Sequence, residues 1–375
     1  MRICIITRRL SMSHGGAEMV AFNLSKRLSE NGYDVHVVTS SSDVKINDVN
    51  INIIKVGSFF SPWKILSFQR KVKKFTEKGS FDIVYSLCQV YPLDIYRAGG
   101  GIQKHWMRVQ YPITFIRTLK YLTSLVHLAM RWLEEQIFKE GNCKIYITNS
   151  SLIKEQIIEY FNISSEKIRV IYNGVDTTRF NPEIKVYRRA MRDKYKIGND
   201  EIVLLFISNN WERKGLSTII ESLPKTEIEK IRVVIVGRGG KRKYISLLKK
   251  RRIGLDKLIF TGSSEEIEKY YGMADIFVLP SRYEPFSNVC LEAMACALPV
   301  ITTKMNGASE LIRNGVNGFI LNDWRDPHIL ADLIKILSQY QIREEIGEKA
   351  AETAKEYTWE RHIKETVEVF RSYQL

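Results

Sequence analysis

The chain has few cysteines and prolines, and it lacks the long apolar runs that are typical of membrane-spanning proteins. Its 375 residues include five cysteines with no Cys-x-x-Cys pair and nine prolines. An odd, scattered set of cysteines favours reduced thiols over disulfides or a zinc site. No apolar run reaches the roughly 18 residues of a membrane-spanning helix, and the apolar stretch at the N-terminus is too short for a signal peptide. We therefore expect a cytoplasmic protein of two domains.

Acidic residues are also few, and the imbalance is uneven along the chain. There are 57 Lys and Arg against 42 Asp and Glu, a net charge of +15. Residues 1–180 hold 25 basic and 15 acidic residues, so they carry +10, whereas the remainder carries +5. Such a charge attracts anionic partners: nucleic acid, an anionic membrane or an anionic substrate.

Short β-rich runs alternate with longer helical patterns from end to end. The spacing predicts a helix over Ala17–Glu30, and two terminal helices over Asp326–Gln339 and Gln341–Phe370. The predicted strands are Arg2–Thr7, Asp34–Thr39, Ile51–Val56, Phe81–Ser86, Lys144–Thr148, Lys167–Ile171, Ile202–Ser208, Arg232–Val236, Leu258–Thr261, Asp275–Leu279 and Pro299–Thr302. This alternation predicts an α/β fold: two Rossmann-like domains with parallel sheets, facing each other across a cleft.

The turn-forming run Asn173–Pro182 marks the boundary between the two domains. We place an N-terminal acceptor domain at 1–175 and a C-terminal donor domain at 176–355. Residues 356–375 are expected to form a helix that packs back on the first domain.

Three loops at the predicted carboxyl edges of the sheets carry candidate binding residues. The first contains Gly15 and Gly16 before a helix, which suits an anion at the helix N-terminus or a simple tight turn. The second, Ser208–Gly215, holds adjacent Arg213 and Lys214, a pair that suits a diphosphate but is also common on surfaces.

The third loop follows a predicted strand and opens a helix at Pro285. Glu284 lies at its mouth, and Glu292 follows about two turns inside the helix. Carboxylates accept hydrogen bonds from vicinal hydroxyls, so two of them could hold a hexose and a ribose. Taken alone, the Glu-x7-Glu spacing equally describes two solvated glutamates.

Four longer motifs stand out: NNWERKG, YEPFSNVCLEAMACALPVITT, NGVNGFIL and a late YTW. Together they resemble family 4 of the retaining glycosyltransferases, which have the GT-B architecture. The resemblance spans the chain from Arg2 to the last helix and is most specific between Glu284 and Thr303. Within the family, LDIYRAGGGIQKHW and the basic-aromatic stretch after it look most like the lipopolysaccharide core glucosyltransferase I group.

The resemblance implies catalytic roles for Arg213, Lys214 and Glu284: the two cations bind the donor diphosphate, and Glu284 contacts the transferred sugar. Glu292 would hold the ribose. His105 would contact the sugar, or it is simply a surface histidine. Further donor-binding residues implied are Gly15, Gly16, Arg179, Phe286, Ser287, Asn288 and Val289, with the backbone N–H groups near Phe286–Val289 expected to serve the ligand. No metal is expected, so fixed cations and helix amides would stabilise the leaving group. A UDP-sugar is the favoured donor, and front-face retention is the favoured mechanism.

Two segments depart from the family pattern and leave the donor open. Thr261–Ser264 lacks a basic residue that some relatives place after the glycine, and Val236–Lys241 is unusually basic and glycine-rich. Either difference bears on nucleotide or sugar preference.

The acceptor side is predicted from two basic-aromatic segments, 59–78 and 95–133. No acidic residue occurs between Asp94 and Glu134. Basic residues beside aromatic ones suit an anionic membrane surface, although the aromatics could instead be core residues beneath a solvated basic face. We expect a lipid-linked, anionic acceptor and a peripheral position on the inner face of the cytoplasmic membrane.

Two other functions compete with the transferase. Nucleotide-sugar epimerases share the architecture and need no acceptor. A nucleic-acid-binding protein is suggested by the isoelectric point of about 9.4, but no motif for it is present.

Overall fold

The computed structural model describes residues 1–11, 16–57 and 61–374. The chain divides into two units, one of Met1–Asn173 with Trp359–Leu375 and one of Gly174–Thr358. The last helix therefore belongs to the first unit, although it follows the second in sequence.

The first unit is built on a parallel sheet. Its strands are β1 (Arg2–Ile6), β2 (Arg9–Leu10), β3 (Asp34–Thr39), β4 (Ser41–Ser42), β5 (Val49–Ile53), β6 (Ile83–Ser86), β7 (Leu93–Arg97), β8 (Cys143–Thr148) and β9 (Ile168–Val170). Its helices before the boundary are α1 (Gly16–Glu30), α2 (Ser61–Lys78), α3 (Gln103–Gln110), α4 (Thr114–Thr123), α5 (Leu125–Ile137) and α6 (Ser151–Phe161). The main sheet has the order β5-β3-β1-β6-β7-β8-β9, while β2 and β4 pair separately.

The second unit repeats this architecture. Its strands are β10 (Ile202–Ile207), β11 (Ile231–Val236), β12 (Leu258–Gly262), β13 (Ile276–Leu279), β14 (Val300–Thr303) and β15 (Phe319–Leu321). Its helices are α7 (Arg188–Lys194), α8 (Leu216–Thr226), α9 (Lys241–Lys250), α10 (Ile267–Met273), α11 (Asn288–Ala295), α12 (Pro327–Ser338) and α13 (Tyr340–Ala354), and α14 (Trp359–Gln374) returns to the first unit. The sheet is parallel, with the order β12-β11-β10-β13-β14-β15.

The sheet order of the second unit determines where a site can form. The chain runs from β10 outwards to β11 and β12, then crosses back so that β13 pairs with the other side of β10. The loops after β10 and β13 therefore leave the same sheet edge in opposite directions, and the space between them is the ordinary ligand position of such sheets.

The C-terminal helix completes the core of the first unit. Ile363, Val367 and Phe370 of α14 join the cluster formed by β1, β3, β6 and α1. Arg27 of α1 forms an ion pair with Glu360, and the buried His362 ring bonds through Nδ1 to the Tyr172 carbonyl oxygen at 2.7 Å. Burial makes α14 an integral part of the unit.

The continuous helix predicted over Gln341–Phe370 is wrong: α13 ends at Ala354 and α14 begins at Trp359. Between them the Tyr357 carbonyl accepts a hydrogen bond from the Val175 amide at 2.9 Å, and Thr358 pairs with Val175 as a parallel bridge. This pairing with a distant segment interrupts the helical periodicity. The strands β7 and β15 were not predicted at all.

The helices between β7 and β8 expose much apolar surface. α5 packs on α2 through Ile65, Ala129 and Leu133, but α4 has no buried residue. Phe115 is 76% exposed, and further exposed apolar residues here are Ile113, Ile116, Leu119, Leu122, Leu125, Leu128 and Trp132. On α2, Trp63 is 71% exposed whereas Phe68 is buried. Of the aromatic residues in the two basic segments, Phe115, Trp132 and Trp63 are thus surface residues, and Phe68 belongs to the core. None of the helices that the structure describes is both long and apolar enough to span a bilayer.

The core position of α14 leads to a stability prediction. The Phe370 side chain is 0% exposed and meets Tyr85 edge-to-face at 5.4 Å. Phe370→Ala should lower the free energy of unfolding of the first unit by about 3–5 kcal/mol, because it removes buried apolar surface and leaves a cavity. Urea unfolding, with the transitions of the two units fitted separately, measures this. The exposed Arg371→Ala on the same helix is the control, and equal small losses in both variants would contradict the assignment.

Candidate active site

The loop after β10 carries the first pair of predicted site residues, and it is held by local hydrogen bonds. The Asn210 side chain accepts the Arg213 amide at 3.1 Å, and its own amide donates to Ser208 Oγ at 2.8 Å. The Trp211 indole donates to the Ser208 carbonyl at 2.9 Å. Arg213 and Lys214 therefore sit in a tight, fully bonded turn directly before α8.

Gly215 allows this turn to lie against β13. Its φ is +79°, and a Cβ atom placed there would come within 2.1 Å of the Pro280 carbonyl oxygen. Any other residue would push the Arg213–Lys214 turn away from the loop after β13.

That second loop is fixed through its backbone. The Glu284 amide donates to the Met305 carbonyl at 2.8 Å, and the Glu284 carbonyl accepts the Gly307 amide at 2.9 Å. The loops after β13 and β14 are thereby joined as a short parallel bridge. Glu284 is held in place independently of its side-chain contacts.

The two loops meet in an ion-pair cluster. Arg213 Nη1 lies 2.6 Å from Glu284 Oε2 and 3.0 Å from the Tyr283 carbonyl oxygen, and Lys214 Nζ also pairs with Glu284 Oε2. Burial lowers the pKa of Lys214, and the nearby Glu284 carboxylate opposes that shift. Two basic side chains thus meet at one carboxylate oxygen, and each opposite charge stabilises the charged form of its partner. Adjacent Arg and Lys side chains at the carboxyl edge of a parallel sheet suit the binding of an anion.

Glu292 lies on α11, with its carboxylate bonded to another element. Tyr271 of α10 donates from its hydroxyl to Glu292 Oε2 at 2.8 Å. Burial raises the pKa of Glu292 to about 7, although the Tyr271 hydrogen bond and the Arg179 charge both oppose the rise. At neutral pH this carboxyl group is near its titration point.

Arg179, whose charge acts on the Glu292 carboxylate, is held by one carboxylate and one backbone carbonyl. Its Nε and Nη2 lie 3.0 and 2.7 Å from Glu268 Oε2, and Nη2 also donates to the Glu265 carbonyl. The predicted site residues Arg213, Lys214 and Glu284 thus form one cluster, while Arg179 and Glu292 interact beside α10.

The segment Phe286–Val289 leads into α11, which begins at Asn288. Phe286 and Ser287 are buried. The Ser287 amide donates to Asn306 Oδ1 at 3.2 Å, so this N–H group is engaged within the fold, where the sequence led us to expect it to serve a ligand. The Val289 carbonyl oxygen lies 3.3 Å from the Tyr271 hydroxyl, whose proton is donated at shorter distance to Glu292.

Two of the predicted residues in the first unit are described. Gly16 begins α1, whereas Gly15 lies outside the described residues. His105 lies on α3, half-buried, with Nδ1 3.3 Å from the Tyr160 hydroxyl, and burial lowers its pKa.

Sequence reasoning missed the residues that hold the site in place. Asn210, Tyr271, Glu268 and the fully buried Asn306 each orient a predicted residue. Of these, only Asn210 could have been recognised from the sequence, because Asn is a preferred N-cap residue and it lies within the motif NNWERKG just before a predicted helix. The others act from 18 to 89 positions away along the chain.

The basic, glycine-rich segment after β11 packs against the loop after β10. Gly237 has φ +116°, and a Cβ there would lie 2.1 Å from the Ser208 carbonyl oxygen. The Arg238 amide donates to Asn209 Oδ1 at 2.9 Å, and Arg238 Nε to Ser263 Oγ at 3.3 Å. Arg238 therefore connects the loops after β10, β11 and β12 at the same sheet edge. Within 1–11, 16–57 and 61–374, no three His, Cys, Asp or Glu side chains are grouped closely enough to hold a metal ion.

Comparison with protein families matches both units. Residues 14–179 match the model for Glycosyltransferase Family 4, and residues 188–353 match the model for Glycosyl transferases group 1. An uncharacterised glycosyltransferase of Methanocaldococcus jannaschii, MJ1607, is 29% identical over 95% of this chain and 94% of its own length.

Solved structures agree with this over the whole chain. WaaG, a glycosyltransferase involved in lipopolysaccharide biosynthesis, aligns with a TM-score of 0.84 at 19% identity, covering 98% of this chain and 99% of its own. Anabaena HepE, solved with UDP and glucose, aligns with a TM-score of 0.73 at 19% identity, covering 99% of this chain and 100% of its own. The predicted fold class, two Rossmann-like domains of the GT-B type, is confirmed.

The Glu292 environment predicts a pH-dependent stability. Its folded pKa, about 7, lies above the 4.5 of an exposed glutamate, so the folded state binds the proton more tightly and this group's contribution to stability falls as the pH rises from 4.5 through 7. Glutamine does not titrate, so Glu292→Gln does not lose stability in this way as the pH rises. The free energy of unfolding of the variant minus that of wild type should therefore be larger near pH 8 than near pH 5.

Urea titrations at both pH values test this, with the exposed Glu348→Gln as the control. A Glu292→Gln difference that stays constant with pH would show that the carboxyl group keeps its ordinary titration in the fold.

Proposed function

Since the chain is a glycosyltransferase of the GT-B type, we propose that it moves a hexose from a UDP-sugar to a lipid-linked, anionic acceptor with retention of configuration. The observation that carries the proposal is the Arg213–Lys214–Glu284 cluster between the loops after β10 and β13. Both matched family models describe glycosyltransferases, which supports transfer over epimerisation or nucleic-acid binding.

In this proposal, the cluster exchanges partners when the donor binds. A diphosphate carries more negative charge than Glu284, so Arg213 and Lys214 turn to the phosphate oxygens and release the carboxylate towards the sugar hydroxyls. Glu292, held by Tyr271, accepts from the ribose hydroxyls. The two cations then lie where negative charge grows as the sugar leaves, which is the interaction that lowers the barrier.

We propose a front-face reaction for the transfer step. The bond from the anomeric carbon to the β-phosphate oxygen breaks, and a bond from that carbon to the acceptor oxygen forms on the same face. The acceptor hydroxyl proton passes to the departing phosphate oxygen. The two fixed cations supply the charge stabilisation, so no metal ion takes part. His105 contacts the transferred sugar, and Gly15, Gly16 and Arg179 contact the phosphates.

Support for uracil as the base comes from HepE, whose structures hold UDP and UDP-glucose. Isothermal titration calorimetry with UDP, GDP and ADP, in the presence of EDTA, tests the donor site. UDP should bind with micromolar affinity, and Arg213→Ala/Lys214→Ala should weaken it by roughly 100-fold or more, since each charge-assisted hydrogen bond contributes about 1.5–3 kcal/mol.

The matched control is Lys225→Ala/Lys230→Ala, which removes two cations just before β11, at the amino edge of the same sheet. Equal losses in the two double variants would indicate non-specific attraction of the anion. Binding of GDP or ADP instead of UDP would assign a different base to the donor. If none of the three diphosphates binds, the proposed donor site is refuted.

For the acceptor, we propose that the α2, α4 and α5 surface lies on the cytoplasmic face of an anionic membrane. Exposed Phe115, Leu122 and Trp132 stand among basic residues in a stretch with no acidic side chain between Asp94 and Glu134. Apolar side chains that insert into the interface, combined with basic residues that attract anionic headgroups, are the features of a peripheral membrane surface.

Co-sedimentation with vesicles of phosphatidylglycerol and phosphatidylcholine tests this surface. Binding should require phosphatidylglycerol, weaken with salt, and fall roughly tenfold or more in Phe115→Ser/Leu122→Ser, because two inserting side chains are lost. Ile53→Ser/Val186→Ser removes two exposed apolar side chains elsewhere and should bind as wild type. No binding even at low salt would refute the membrane surface.

A further inference from the structure

The helix α3, which carries His105, lacks a capping side chain of its own. It begins after Ile102, whose side chain has no oxygen to accept the first free amides. The cap is supplied by another helix: Glu134 of α5 accepts the Gln103 amide through Oε1 at 2.6 Å and the Lys104 amide through Oε2 at 3.0 Å. One carboxylate therefore closes the N-terminus of α3 by a bidentate contact.

This carboxylate is in an unfavourable place for a charge. Glu134 is 2% exposed, and among the residues described here it forms no ion pair with a basic side chain. Burial raises its pKa to about 7, although the two amide hydrogen bonds and the Lys104 charge oppose the rise. An amide or hydroxyl side chain could cap the helix without burying a charge. The buried carboxylate therefore makes the fold less stable than a neutral cap would.

The capped helix α3 is short, and it carries the proposed site residue His105. α3 has eight residues, and His105 follows directly after the two capped amides. The Gln103 side chain bonds to His127 Nδ1 at 3.1 Å, and Lys104 Nζ lies 5.5 Å from the centre of the Tyr160 ring. Because so short a helix gains little from its own hydrogen bonds, its position depends on contacts of this kind.

We propose that Glu134 is a positioning residue of the transfer reaction, whose ionised carboxylate holds α3 and thereby sets His105 for contact with the transferred sugar. The inference rests on the proposed function, because it needs His105 in that role. Glu134 itself touches neither donor nor acceptor.

The charge on Glu134 should then appear in the pH dependence of turnover. Protonation removes one acceptor oxygen from the cap and loosens the Gln103 or Lys104 amide, so kcat should rise as the pH rises through about 7. α2 packs on α5 through the apolar Ile65. The titratable and charged groups that act on or near this carboxylate are Lys104 of α3, Tyr96 of β7, Tyr121 of α4, and Glu135 and His127 of α5.

The test compares Glu134→Gln with Glu135→Gln. Glu135 is the next residue, lies on the surface and pairs with Arg131 at 2.8 Å, so its variant removes one charge without touching the cap. Initial rates of UDP release by donor hydrolysis, in which water takes the place of the acceptor hydroxyl, are measured from about pH 5.5 to 8.5 with the UDP-sugar that wild type accepts. We expect kcat of Glu134→Gln to be about tenfold lower than wild type near pH 8 and flat across the range, with the donor KM unchanged.

Three comparisons separate a positioning role from a structural one. In the His105→Ala background, Glu134→Gln should add no further loss, because the two residues act through one contact. Glu134→Asp keeps the ionisable group and should keep the rise near neutral pH at a reduced kcat. Amide hydrogen exchange at Gln103 and Lys104 should quicken in Glu134→Gln but not in Glu135→Gln.

The outcomes distinguish this inference from the function beneath it. If Glu134→Gln retains the wild-type kcat or the wild-type pH profile, or if its loss adds to that of His105→Ala, the positioning role is refuted while the transferase stands. If His105→Ala itself turns over as wild type, or wild type accepts no nucleotide sugar, the proposed roles fail and this inference fails with them.

Discussion

The parallel pairing of β10 with β13 is the constraint on which the proposed donor site depends. These strands are neighbours in the sheet although β11 and β12 separate them in sequence. Without this crossover, Arg213 and Glu284 would leave the sheet at distant points. With it, a salt bridge of 2.6 Å joins residues 71 positions apart, and the Gly215–Pro280 contact fixes how closely their loops approach.

The Arg213–Lys214–Glu284 cluster of the proposed donor site is held together by its own charges. Both basic side chains pair with the same carboxylate oxygen of Glu284. Rigid surroundings matter as much as the charges: the backbone of Glu284 is bonded on both sides, and Arg213 is bonded through its amide to Asn210. In the proposed function, the Arg213 and Lys214 side chains change partner on donor binding while the backbones of both loops stay in place, which limits the entropic cost.

The α/β fold and the three loops could be predicted from local patterns, because the alternation of strand, loop and helix depends on residues that are close together in the sequence. Arg213, Lys214 and Glu284 were named for the same reason, and the structure brings them together. Tyr271, Glu268 and Asn306 escaped prediction because their partners are distant in sequence and their residue types are common. The break between α13 and α14 escaped because Val175, outside that segment, causes it. Glu134 was noted only as the acidic residue that ends a basic stretch, because the amides it caps lie 31 and 30 positions away along the chain.

The order of the units along the chain has a consequence during synthesis. The second unit is one uninterrupted segment whose two ends pair with each other through Val175 and Tyr357. The first unit is split, and its core lacks Ile363 and Phe370 until α14, which follows the whole second unit, has left the ribosome. The segment made second is therefore able to finish folding before the segment made first, which must wait with apolar surface on α1 and β1 uncovered. Removal of α14 would disrupt the core of the first unit rather than that of the second.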